Sequence, residues 1–144
     1  MTITFKYKVI ERQKPLNPIK CPIIPLTLKG RISMDYIGLL DSGADVSVID
    51  KSIAELMGID LSGKEDESKG VGGAVKTIES KIKIEFSKGH EKYDFEMPVL
   101  VLCDDDELGM LLLGRRGFFD KFIVTFDEQN QKFKLKGKDG RKPF

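Results

Sequence analysis

The 144-residue sequence has no tryptophan, one histidine and two cysteines, and it contains no apolar run of transmembrane length. Residues 1–10 alternate rather than forming an apolar block, so no signal peptide is expected. Cys21 and Cys103 show no metal-ligand spacing, and no metal or cofactor is predicted. We interpret both as free thiols of a cytoplasmic protein, with a single disulfide as the open alternative.

A formal net charge of +1 gives no electrostatic basis for binding nucleic acid or a membrane, so neither is predicted as a partner. With 40% hydrophobic and 33% charged residues, the length fits one globular domain over residues 1–144. His90 is the only histidine and lies in a predicted turn, which disfavours Ser/His/Asp and Cys/His catalysis. The acidic run Asp104-Asp105-Asp106-Glu107 lacks calcium-loop spacing and is interpreted as a solvated loop.

Short stretches with apolar residues at every second position recur along the chain, which is typical of half-buried strands. A short helix is predicted after residue 50, with Asp50 as its N-cap and Gly58 just beyond its C-terminus. Residues 11–20 and 61–69 are predicted to be irregular. The predicted strands are residues 3–9, 23–28, 32–40, 46–49, 82–86, 93–102, 111–113, 123–126 and 132–135. This pattern predicts an all-β barrel or sandwich with one or two short helices.

The central motif is Leu39-Leu40-Asp41-Ser42-Gly43-Ala44-Asp45, where a carboxylate ends one apolar strand and precedes another. An ionisable side chain between buried strands is costly unless it is hydrogen-bonded or functional. Ser42 can donate a hydrogen bond, and Gly43 permits a sharp turn and close approach of another chain. Asp, Ser and Gly are also common turn residues, so the specificity of the motif comes from its apolar frame.

A second motif, Leu112-Leu113-Gly114-Arg115, is an apolar strand that ends in glycine and arginine. Together the two motifs resemble the retropepsin-like aspartic protease family over about residues 23–135. The resemblance implies an acid-protease barrel, closed or partly open, that forms a homodimer. It implies Asp41 as the catalytic residue, an active-site loop of Ser42, Gly43 and Ala44, and structural support from Leu112, Leu113, Gly114 and Arg115.

The resemblance also implies an ion pair between Asp45 and Arg115, whose planar guanidinium can hold a carboxylate bidentately. The alternative is two unrelated, solvated surface charges. Gly43 and Asp45 are expected to bind the substrate backbone. The family resemblance extends to neither terminus, so the residues of the dimer interface are not assigned.

The cluster Gly70-Val71-Gly72-Gly73 predicts a hairpin tip, and an ordinary β-turn is the alternative. A phosphate-binding loop is disfavoured because no Gly-Lys-Ser/Thr follows. The cluster resembles the family's flap, a hairpin that closes over the substrate. Val71, Gly72 and Gly73 are accordingly expected to contact a bound peptide.

Asp-Ser-Gly occurs once, and Asp60-Leu61-Ser62-Gly63 does not match because a leucine intrudes. Hydrolysis by this chemistry needs two carboxylates that share a proton and hold one water molecule. One copy per chain therefore predicts a symmetric homodimer acting on extended peptide or protein substrates. Two other functions stay open: a non-catalytic dimeric peptide-binding module on the same fold, and a scaffold domain assembled through its sheet edges.

Overall fold

A computed structural model describes residues 2–70, 73–104 and 108–138 of the chain. Within these ranges the chain is mostly β-structure, with one α-helix, α1 (Lys51–Leu56), and a 3-10 helix at Phe119–Lys121. The strands are β1 (Thr2–Lys6), β2 (Lys8–Ile10), β3 (Ile19–Cys21), β4 (Ile23–Lys29), β5 (Ser33–Leu40), β6 (Ser47–Asp50), β7 (Glu65–Gly70), β8 (Gly73–Lys88), β9 (Glu91–Leu102), β10 (Leu111–Leu113), β11 (Phe122–Asp127) and β12 (Lys132–Gly137). No helix in the described ranges is long and apolar enough to cross a membrane.

The largest sheet has the order β4-β5-β10-β6-β9-β8-β7. Strand β8 also pairs with β4, with Leu28 opposite Ile84, so the sheet curls back towards its first strand. Strands β1, β12 and β11 form a separate antiparallel sheet, and β2 pairs with β3 in a two-stranded ribbon. Of the predicted all-β fold class, the mostly β structure and a short helix are confirmed, while the homodimer stays a prediction.

Strand β10 lies between β5 and β6 and joins parts of the chain that are distant in sequence. It runs parallel to β5, with Leu113 opposite Leu40, and pairs with β6 through Leu112 opposite Val48. Because the two strands run parallel, they end at the same side of the sheet. The residues that follow them, Asp41 after β5 and Gly114 after β10, are therefore neighbours.

The core is built from the inward-facing residues of the strands. Along β8, Ile82, Ile84 and Phe86 are buried, while the alternating Lys81 and Lys83 are exposed, as the period-two pattern predicts. Part of this core is an aromatic cluster, with neighbouring ring centroids 5.1–6.3 Å apart. Its members are Phe86, Tyr93, Phe95, Phe118 and Phe122.

The helix lies where the sequence predicts it, but its N-terminus differs in one respect. Asp50 occupies the N-cap position without forming a side-chain capping bond. Its buried carboxylate instead accepts hydrogen bonds from the backbone N–H of Leu108, at 2.8 and 3.0 Å, and of Gly109, at 3.1 Å. Asp50 thus holds the segment before β10, because those amides compete successfully with the first turn of a short helix for its oxygens.

Two segments predicted to be irregular contain strands. Residues 65–70 form β7, which pairs antiparallel with β8 from Glu65–Ile78 to Gly70–Gly73. Residues 19–21 form β3, which pairs with β2. Both strands depend on pairing with a neighbour rather than on burial of an alternating apolar face, so their sequences carry no period-two signal.

Candidate active site

The loop that carries Asp41 is hydrogen-bonded through its backbone to the segment after β10. The amide of Asp41 donates to the carbonyl of Leu113 at 3.0 Å. In return, the amide of Arg115 donates to Ala44 O at 2.9 Å, and that of Arg116 donates to Asp45 O at 2.8 Å. These three bonds cross from one segment to the other in both directions, so the position of the loop is set by the sheet beneath it.

The carboxylate of Asp41 is oriented by the turn that it begins. Its Oδ1 accepts a hydrogen bond from the amide of Gly43 at 3.0 Å, while its carbonyl accepts one from Ala44 at 3.1 Å. A Cβ at position 43 would lie only 3.3 Å from this Oδ1, which favours glycine there. Asp41 is half-buried and Ser42 is exposed. The carboxylate is therefore held in a defined orientation and stays accessible from outside.

Gly114 provides the close contact on which this arrangement depends. A Cβ on Gly114 would lie 2.4 Å from the carbonyl carbon of Val46 and 2.6 Å from its oxygen, so a side chain cannot fit without moving the backbone. The amide of Gly114 donates to Oγ of Ser47 at 3.0 Å, and both residues are buried. Sequence reasoning missed Ser47. The sequence feature that could have identified Ser47 is its hydroxyl, next to the apolar residues Val48 and Ile49 of β6.

Asp45 and Arg115 form an ion pair between the carboxylate Oδ1 and Nη2 of the guanidinium. Their side chains are 86% and 59% exposed, so water screens the pair and its contribution to stability is at most about 1 kcal/mol. The backbone bonds between the two segments therefore contribute more to fixing the loop than this side-chain pair does. Leu113 is fully buried beneath the loop, and Leu112 is partly buried.

The glycine cluster lies on the hairpin of β7 and β8, whose last described pair is Gly70 with Gly73. Gly73 has φ +108°, a backbone conformation that residues with side chains rarely adopt. A Cβ added at this position would lie more than 4 Å from every described residue other than its chain neighbours. The predicted contact residues Val71 and Gly72 lie outside the described residues. The structure thus contains the two arms of the predicted hairpin.

Two neighbouring cavities lie beside the loop rather than at Asp41 itself. One of about 690 Å³ is bordered by Asp45 and Arg115, and it also contacts Asp66 and Thr77 on the hairpin arms. The other, of about 1060 Å³, lies further along the outer faces of β8 and β9. Asp41 lines neither cavity. Ser42 and Gly43, which follow the carboxylate, are exposed on a single chain.

The fold and the loop geometry define an aspartic-protease-like domain. A sequence profile of the family described as "Aspartyl protease" matches residues 24–116, which include both motifs. The chain belongs to this aspartyl protease family, and its resemblance to the retropepsin-like branch is confirmed.

Solved structures agree with the family assignment at the level of the fold. A retropepsin-like aspartic protease from Rickettsia conorii aligns with a TM-score of 0.59 and 14% identity, covering 94% of this chain and 98% of that one. The EIAV protease, in complex with the inhibitor HBY-793, aligns with a TM-score of 0.47 and 23% identity, covering 74% of this chain and 88% of that one. No curated protein matches the chain at a significant level. The Rickettsia structure shows a common fold, and the EIAV alignment is too weak to add to it.

Proposed function

We propose that two copies of this chain form an aspartic endopeptidase in which each copy contributes its Asp41. The observation that carries the proposal is the half-buried Asp41 carboxylate, oriented by the Gly43 amide on a loop that is bonded to the segment after β10. A buried structural aspartate would be enclosed by donors, as Asp50 is. Ser42 and Gly43 beside Asp41 are instead exposed, which leaves room for a second chain and a substrate.

The chemistry follows from two carboxylates brought close together. Like charges a few ångströms apart cannot both ionise comfortably, so the pair holds one proton. The ionised Asp41 accepts a proton from a water molecule, whose oxygen attacks the carbonyl carbon of the scissile peptide. The protonated Asp41 of the partner subunit donates its proton to the carbonyl oxygen. In the resulting gem-diol, the Asp41 that took the proton of the water delivers it to the leaving nitrogen as the C–N bond breaks. The ionised Asp41 of the partner subunit takes a proton from one hydroxyl of the gem-diol, which becomes the new carboxyl group, so the pair again holds one proton.

The surrounding residues have supporting roles in this proposal. The exposed hydroxyl of Ser42 is available to hydrogen-bond across the twofold axis of the homodimer. An extended peptide would lie between the active-site loop and the β7–β8 hairpin, a mode of recognition that uses backbone hydrogen bonds. Gly43 and Asp45 would contact it from the loop, and Val71–Gly73 would cover it from the hairpin tip.

The decisive variant is Asp41→Asn, which keeps the size of the side chain and an oxygen for the Gly43 amide but removes the ionisable group. We expect cleavage of a peptide library to fall to background, while the circular dichroism spectrum and the sedimentation coefficient stay those of the parent. Because the shared proton must be retained, parent activity is expected to be highest below neutral pH.

Asp127→Asn is the matched control, because Asp127 is also a half-buried turn carboxylate whose oxygen accepts a backbone N–H, at 3.1 Å from Asn130. It is expected to cleave as the parent does. Cleavage by Asp41→Asn at the parent rate would remove Asp41 from the reaction. A chain that stays monomeric and inactive at every pH and concentration would instead favour a scaffold role.

A further inference from the structure

The outer faces of β8 and β9 form a groove that begins at the active-site loop. The two cavities described above share four lining residues: Val46, Glu79, Leu100 and Arg116. They are thus successive parts of one depression, which we call the β8–β9 groove. It runs from Asp45 past Leu100 towards Gly58, two residues beyond the end of α1.

The floor of the groove is apolar although it faces outwards. Pro98 and Leu100 occupy outward positions of β9 and are half-buried, whereas most other outward residues of β8 and β9 are exposed. Glu96 and Leu100 are four residues apart on one strand, a span of about 13 Å at the usual rise of a strand. That length accommodates about four residues of an extended polypeptide.

The charge of the groove changes along its length. The end beside Asp45 is lined by four carboxylates and two arginines, one of which is paired with Asp45. Apart from the shared Glu79 and Arg116, the far part is lined by four cationic residues and two acidic ones, so positive charge is in excess there. Its acidic member Asp60 already accepts hydrogen bonds from the amide and hydroxyl of Ser62, at 2.9 and 2.6 Å.

Lys81 and Lys83 are two cations of the far part that lie close together on one strand. Both are exposed and lie on the same face of β8, where Lys81 pairs across the ladder with Pro98 and Lys83 pairs with Glu96. Lys81 thus has an apolar neighbour rather than a carboxylate directly opposite it. A ligand that fits this surface is an extended segment with carboxylates over the lysines and apolar atoms on the floor.

We propose that the β8–β9 groove is a second substrate-binding site, which engages an acidic segment of the polypeptide several residues away from the scissile bond. This inference rests on the proposed function and adds a determinant of substrate choice to it. In a twofold homodimer each chain contributes one groove, so acidic segments on both sides of the cleavage site would be bound.

The test uses Asp41→Asn protein, which would bind substrate without consuming it. Two fluorescently labelled peptides share one central sequence. This sequence is the one that the parent enzyme cleaves best in a peptide library. If the parent cleaves no peptide, the central sequence is that of the library peptide that the protein binds most tightly. One has glutamate-rich ends and the other has lysine-rich ends. Fluorescence anisotropy is expected to show the acidic-ended peptide binding at least about tenfold more tightly in low salt. The preference should shrink near 1 M salt, where screening extends over only about 3 Å.

The charge-reversal variant Lys81→Glu/Lys83→Glu, in the same background, should lose this preference and favour the lysine-ended peptide. Its matched control is Lys134→Glu/Lys136→Glu, since these lysines are also exposed and two residues apart on one strand, β12. The control should retain the preference of the parent. Circular dichroism and sedimentation of both variants establish that fold and assembly are intact.

The outcomes separate this inference from the proposed function. Equal binding of the two peptides, or an equal effect of the two charge reversals, overturns the inference even if the parent cleaves both peptides. Absence of cleavage by the parent overturns the proposed function, whereas a preference for acidic ends that Lys81→Glu/Lys83→Glu reverses would still support the groove as a binding site.

Discussion

Replacing Ser47 by alanine tests whether the loop that carries Asp41 depends on a buried hydrogen bond. In the structure the hydroxyl of Ser47 accepts from the amide of Gly114 at 3.0 Å. Ser47 is fully buried and Gly114 is also buried, so water cannot take the place of the lost oxygen. A buried donor left without a partner costs about 1–3 kcal/mol. The contact of Ser47 Oγ with Met97 Sδ, at 3.7 Å, adds little because sulfur is a weak acceptor.

This cost can be measured by urea denaturation followed by far-UV circular dichroism, since the chain has no tryptophan to report on unfolding. With a slope of about 2 kcal/mol per molar urea, a loss of about 2 kcal/mol lowers the midpoint by about 1 M. All proteins are compared at one concentration, because association would also affect the midpoint. Hydrogen exchange gives a local readout, and the Gly114 amide is expected to exchange faster in Ser47→Ala.

Ser80→Ala is the control for Ser47→Ala. The hydroxyl of Ser80 donates to the carbonyl of Asp60 at 2.6 Å, but this bond is exposed and water can replace it. Its removal is expected to change the free energy of unfolding by no more than about 0.5 kcal/mol. If Ser47→Ala were as mild as Ser80→Ala and left the exchange of Gly114 unchanged, the buried hydroxyl would not support the loop as we reason.

Three further variants test other contacts. Gly114→Ala places a Cβ 2.4 Å from the Val46 carbonyl carbon, so we expect a loss of at least about 1–3 kcal/mol, seen as a lower melting temperature. Arg115→Ala removes an exposed ion pair and should cost at most about 1 kcal/mol in urea denaturation, less in high salt. A hydrogen bond from Lys92, aided by Lys29, lowers the pKa of Glu85, so its stabilising effect should be present above its usual pKa of 4.5 and disappear below the lowered value. Glu85→Gln should therefore destabilise the protein at neutral pH, and its effect should become smaller as the pH falls below 4.5.

Each of these expectations has a contrary result. A Gly114→Ala protein that melts with the parent would mean that the backbone of β6 moves aside easily. An Arg115→Ala loss well above 1 kcal/mol would assign the ion pair a larger role than its exposure allows. Equal destabilisation by Glu85→Gln at neutral and at lower pH would show that packing, rather than charge, is lost.

The parts of the site that the sequence predicts are those with a local signal. The Asp41 turn needs only neighbouring residues, because Asp41 bonds to Gly43 and Ala44 within four positions. The short helix and the inward residues of β8 also follow from local spacing. By contrast, β7 begins with the exposed residues Glu65, Asp66 and Glu67 and exists through pairing with β8, which periodicity does not reveal.

The sequence by itself determined the family, the mostly β fold and the carboxylate at which function is proposed, because short motifs and alternation encode turns and strands locally. Only the tertiary structure revealed that Ser47 bonds Gly114 across 67 positions and that Asp50 holds Leu108 instead of capping its own helix. The β8–β9 groove likewise appears only when residues from separate segments are placed side by side. Such contacts depend on which strands become neighbours, and that choice is made by packing of the whole chain rather than by any one stretch of it.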